Sequence, residues 1–118
     1  MDPLKQPPRG RPEAKIQKAI IQALEARQWY VNPTHGNACQ SGFPDLFCMH
    51  QLKGMRWIEV KNPGKWDFTD AQKKWYPRFV ACKVPVWILM SAEPAELIKL
   101  DGPSNLKWYL ERYGLGLR

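Results

Sequence analysis

The chain has 118 residues, of which 44% are hydrophobic and 25% charged, an ordinary balance for one soluble domain with a single modest core. Lys and Arg number 18 against 11 Asp and Glu, a net charge of +7, which favours a polyanionic partner, nucleic acid first among them. No apolar run approaches the ~20 residues of a membrane span, and three cysteines without a C-x-x-C pair argue against a disulfide framework.

Met1 to Arg11 contains Pro3, Pro7, Pro8 and Gly10 beside Lys5, Arg9 and Arg11, the composition of a flexible basic arm. It lacks the apolar core of a signal peptide, and a cytoplasmic protein is expected. Pro12 suits the first turn of a helix. From Glu13 to about Gln28, Ile16, Ala19, Ile20, Ala23 and Leu24 fall at helical spacing. Glu13 sits on or beside the apolar face of the first turn, where it either complements the helix dipole or points inward at a site.

Trp29-Tyr30-Val31 reads as a short strand ended by Asn32-Pro33. Thr34 to Gly42 is polar and holds two glycines, so it reads as a loop, with His35 an exposed loop histidine or a ligand. Leu46–Met49 and Met55–Lys61 form a hairpin around His50-Gln51-Leu52-Lys53-Gly54. Side chains alternate faces along a strand. Glu59 and Lys61 therefore share a face, and a five-residue loop sets Phe47 opposite Trp57 and Asp45 opposite Glu59. Both carboxylates then project from one side of the sheet; a loop one residue shorter would separate them. Cys48 reads as a small core residue.

Asn62-Pro63-Gly64-Lys65 breaks the strand. Thr69 to Gln72 fits a capping box opening a helix from Asp70 to about Cys82, which Pro77 should kink or break. Val84 to Met90 is a buried strand, Ser91 to Leu100 a short helix, and Ser104 caps a last helix from Asn105 to Tyr113, stopped by Gly114. The expected class is α/β, a mixed central β-sheet flanked by α-helices, in one domain from residue 12 to 118.

Phosphodiester hydrolysis needs a hard cation against phosphate charge, an oriented water and a stabilised leaving oxygen. Asp45 and Glu59 offer the carboxylates that Mg²⁺ or Mn²⁺ takes, and the Val60 carbonyl is a plausible third oxygen. Lys61 points the same way as Glu59 and suits the water or the phosphate. Gln72 and Glu13 are placed to support the site, Gln72 by hydrogen-bonding the water or a phosphate oxygen. Lys53, Arg56, Lys65, Lys73, Lys74 and Arg78 are the candidate DNA contacts, and Trp66 offers a face either to an unpaired base or to the core. A zinc site from His35, Cys39, Cys48 and His50 is a weak alternative, because its spacings match no common pattern.

Each signal alone is weak; their order is the specific feature. Gly42-Phe43-Pro44-Asp45, then Ile58-Glu59-Val60-Lys61-Asn62-Pro63-Gly64, then Phe68-Thr69 with Gln72 resembles the PD-(D/E)xK nuclease superfamily, and most closely its virus-type replication-repair nuclease (VRR-NUC) domains. The similarity runs from about Glu13 to Met90. It implies a restriction-endonuclease-like core and a metal on Asp45, Glu59 and the Val60 carbonyl. Lys61 is catalytic by this likeness, with Gln72 and Glu13 in support. It further implies a homodimeric, metal-dependent endonuclease acting on branched DNA such as four-way junctions or flaps, often of phage origin. The alternative function is a nucleic-acid-binding module without catalysis.

Overall fold

The computed structural model describes residues 11–34 and 42–115, with side chains from residue 13 onward. Residues 1–10 of the expected basic arm, His35 and Cys39 lie outside the described residues, and Arg11, expected as the end of that arm, begins a helix. Helix α1 (Arg11–Glu25) leads into strand β1 (Tyr30–Pro33), then β2 (Leu46–His50) and β3 (Gly54–Val60). Helix α2 (Asp70–Ala81) crosses to β4 (Val86–Leu89). Helix α3 (Pro94–Leu97), a 3₁₀ turn (Ile98–Asp101) and helix α4 (Leu106–Arg112) complete the order.

The sheet runs β1-β2-β3-β4. The first three strands pair antiparallel, and β4 joins β3 in parallel. The α2 crossover is what lets a parallel neighbour follow an antiparallel hairpin. One face of the sheet buries Leu46, Cys48, Ile58 and Val60 against Ile20 and Leu24 of α1. The other buries Ile88 and Val86 against Tyr76 of α2 and against Leu106 and Leu110 of α4. This is the expected α/β architecture, a mixed sheet between helical layers.

The hairpin register is Phe47 opposite Trp57 and Met49 opposite Met55. His50 and Gly54 themselves pair, so the turn proper is Gln51 to Lys53, shorter than the sequence reading drew it. Gly54 closes it at φ +82°, a conformation that suits a residue without Cβ. The residue count between the strands is unchanged, so the faces come out as expected.

Four local expectations shift. The first strand starts at Tyr30 and includes Pro33, which an edge strand tolerates because its missing N–H faces away from the ladder; Trp29 is core instead. Helix α2 runs through Pro77. The ring costs a hydrogen bond, but the helix is pinned by burial of Tyr76 and by its complete Thr69–Gln72 capping box. The segment expected as one helix from Ser91 is a single turn of α-helix followed by a 3₁₀ turn, begun by Pro94. Ser104 does not cap α4: Asn105 occupies that position, and its side chain makes no cap bond. Its amide instead accepts from the Ile88 N–H and donates to the Ile88 carbonyl, covering the outer edge of β4.

Candidate active site

The site forms where β2 begins and β3 ends, under the first two turns of α2. Asp45 immediately precedes β2. One carboxylate oxygen, Oδ2, accepts the Val60 N–H at 2.9 Å, which ties the aspartate across to β3. Glu59 sits on the face of β3 turned toward α2 and is 2% exposed. Its Oε1 accepts from the Tyr76 hydroxyl and its Oε2 from the Gln72 amide, both at 2.8 Å. Lys61, also 2% exposed, lies just past the strand, where its N–H still bonds Leu89. Its Nζ donates to the Asp67 carbonyl at 2.9 Å and to Gln72 Oε1 at 2.8 Å, and stands 3.3 Å from Glu59 Oε2.

Gln72 is the hub. Its Oε1 takes Lys61 and also the Thr69 N–H that completes the capping box; its Nε2 holds Glu59. Both lone pairs of that oxygen are spent, so the amide orientation is fixed and only one amide hydrogen remains for anything else. Gln72 orders the two charged groups beside it. Tyr76 completes the shell and was missed by sequence reading. Its position one turn after Gln72 on α2 was the available signal, since residues four apart share a helix face.

Burial pushes the Glu59 carboxyl up to about 8, with the neighbouring Asp45 charge the next cause; Lys61, Tyr76 and Gln72 pull the other way. Asp45 is also raised, chiefly by burial and further by the charge of Glu13, which brings the first turn of α1 into the electrostatics of the site. The Tyr76 hydroxyl is raised well above its usual range by burial and by Glu59, so it remains a donor. Two carboxyls are thus held in a dry place where burial disfavours their charge, with a single ammonium against them. The donors are hard oxygens, and a divalent cation would favour their charged form. The residues present fit such an ion. Among the described residues no cluster of three or more His, Cys, Asp or Glu offers a richer ligand set, and Mg²⁺ commonly needs only one or two carboxylates.

The chain matches the family model of the VRR-NUC domain over residues 11–93. The protein belongs to the VRR-NUC family. This stretch holds α1, the whole sheet and α2, and so every residue of the site just described. A solved structure titled "VRR_NUC domain" is similar in fold, with a TM-score of 0.59 and 22% identity, covering 74% of this chain and 92% of that one. No curated protein matches the chain. The VRR-NUC domain of this protein is a nuclease-type domain.

The six basic candidates divide by position. Lys65 follows β3, and Lys73, Lys74 and Arg78 lie on α2, beside the site. Lys73 approaches Asp67 at 3.9 Å, and Arg78 lies over the Trp75 ring. Lys53 and Arg56 sit at the opposite end of the hairpin and are engaged by the protein itself. Lys53 pairs with Asp101, and Arg56 donates to the carbonyls of Leu100, Lys53 and Met55. Trp66 packs between Phe68, Tyr109 and Tyr113 with the Lys61 ammonium 5.7 Å from its ring centre. Of the zinc alternative, Cys48 directs its thiol to the Arg56 carbonyl, while His50 accepts from the Leu52 N–H and packs on Trp29.

Proposed function

We propose that this VRR-NUC protein is a Mg²⁺- or Mn²⁺-dependent DNA endonuclease of the PD-(D/E)xK type, selective for branched DNA such as four-way junctions or flaps. The observation that carries the reading is the buried Glu59–Gln72–Lys61 network set beside Asp45. Asp45, Glu59 and the Val60 carbonyl would hold the cation. When bound, the ion supplies Lewis-acid charge neutralisation at the scissile phosphate.

The protein's own groups do the rest. The Lys61 ammonium has three hydrogens and three protein partners. Its 3.3 Å approach to Glu59 is the longest of the three and the one a phosphate oxygen or the attacking water would replace. Gln72 and the Asp67 carbonyl keep the ammonium aimed while that exchange happens. Tyr76 and Gln72 hold the two oxygens of Glu59, so the carboxylate meets its ion already oriented. Lys65, Lys73, Lys74 and Arg78 would carry the flanking backbone. Lys53 and Arg56, at the other end of the hairpin, would meet the backbone farther from the site.

A homodimer and a cytoplasmic setting belong to this proposal. Tyr30, Met49 and Met55 are exposed and stand side by side across β1, β2 and β3, an apolar strip of the kind that marks association. Two sites about a twofold axis would suit a symmetric junction. The test is cleavage of junction, flap and linear DNA with Mn²⁺ by wild type, Asp45→Ala and Lys61→Ala, with light scattering of the free protein. Cleavage by wild type alone, strongest on branched DNA, is expected. Cleavage that survives both substitutions removes the assigned site, and binding without any cleavage leaves a non-catalytic module.

A further inference from the structure

Residues 94–118 fall outside the stretch that matches the family. They include α4, whose two faces differ sharply. Leu106 and Leu110 are buried under β4. The opposite face presents Trp108, 50% exposed, with the Arg112 guanidinium 3.9 Å from its ring centre. Trp108 meets Tyr109 edge-on at 4.8 Å, Tyr109 lies 5.7 Å from Trp66, and Tyr113, 43% exposed, lies 4.7 Å from Trp66 on another side. Trp66 in turn borders the Lys61 ammonium. A continuous run of rings thus leads from open surface to the candidate active site.

The charge beside these rings narrows the occupant. Lys107 and Lys65 are exposed, and Arg112 already stacks on Trp108. Rings interleaved with cations suit stacked bases on a phosphate backbone, and base-on-aromatic stacking is tolerant of sequence. The Tyr30–Met49–Met55 strip is the contrast, two thioethers and a phenol with no stacked cation among the described residues, which suits a protein face.

We propose that the aromatic face of α4 binds single-stranded DNA, with Trp108 and Tyr113 stacking unpaired bases and Arg112 and Lys107 on the backbone, so that a single-stranded arm is delivered along Trp66 toward Lys61. The delivery step rests on the nuclease reading; the binding does not. It makes the preferred branched substrate one with an unpaired arm.

The test is fluorescence anisotropy of a labelled short oligothymidylate and of a duplex of equal length, with the full chain in EDTA so that nothing is cut. Trp108→Ala should weaken single-strand binding roughly tenfold and leave duplex binding unchanged; Tyr113→Ala should act in the same direction, and Trp108→Phe should restore most of the loss. Both alanine variants alter exposed rings, and thermal melting confirms their fold. Equal losses on both DNAs, no loss on either, tighter binding of oligouridylate, or dissociation of a dimer by Trp108→Ala would each overturn the proposal. If no DNA is ever cut while Trp108-dependent binding persists, the nuclease reading fails and this one stands.

Discussion

Strand β3 carries two basic side chains five positions apart, Arg56 near its start and Lys61 just past its end, and they live in opposite circumstances. Arg56 is satisfied. Its guanidinium donates to three carbonyls and lies over the rings of Trp87 and Trp29, 4.8 and 5.8 Å from their centres. It ties the hairpin to the 3₁₀ turn. Lys61 faces a Glu59 carboxyl whose charge is disfavoured by burial and by Asp45, and its ammonium bonds to Gln72 and to the Asp67 carbonyl. A half-buried charge surrounded by neutral dipoles is structure. A buried charge beside two crowded carboxyls with shifted titration marks a candidate functional site.

That contrast is best broken by substitution at the two ends. Glu59→Ala should abolish cleavage, by roughly 10³-fold or more, measured as single-turnover rate with saturating Mn²⁺, while Arg56→Ala should leave the rate per folded molecule unchanged. If Arg56→Ala lost as much activity as Glu59→Ala, the division would collapse. In stability the order reverses. Arg56→Ala should cost about 2–3 kcal/mol in urea unfolding, since it removes charge-assisted bonds to three carbonyls and the cation over Trp87 and Trp29.

The titration of Glu59 gives an intermediate effect with a definite sign. Its carboxyl is raised from 4.5 to about 8 on folding. The native state therefore holds a proton that the unfolded chain has released, and this contribution to stability is full below the unfolded value and lost as pH rises through the folded one. Melting of the EDTA-treated protein should show stability falling between about pH 4.5 and pH 8. Glu59→Gln should flatten the slope, and added Mn²⁺ should stabilise wild type more at pH 8 than at pH 5. A slope unchanged by Glu59→Gln would mean that another group is responsible.

Tyr76→Phe should act more gently. It removes the hydroxyl that holds Glu59 Oε1 while keeping the ring in the core. Metal affinity by calorimetry should fall roughly tenfold, with little change in melting temperature. The smallest effect belongs to Lys53→Ala. Its ion pair with Asp101 is solvent-exposed on both sides, and loss of such a pair should change stability by less than about 1 kcal/mol. A larger loss would show that the far end of the hairpin does more than hold itself together.

The sequence by itself determined whatever rests on near neighbours. The residue count of the hairpin set the cross-strand register and hence the shared side of the sheet for Asp45 and Glu59. Alternation put Lys61 with Glu59, and Thr69 and Gln72 announced the start of α2. These follow from periods of two and of 3.6 residues, which any stretch of chain carries with it. Tertiary packing alone decided the rest. Tyr76 reaches Glu59 across 17 positions, Arg56 finds Leu100 across 44, and Asn105 leaves its helix cap to close the edge of β4 at Ile88. Lys61 and Arg56 look alike as letters five positions apart. They differ in the partners that distant segments bring to them, a buried carboxyl network at one end and backbone carbonyls and rings at the other.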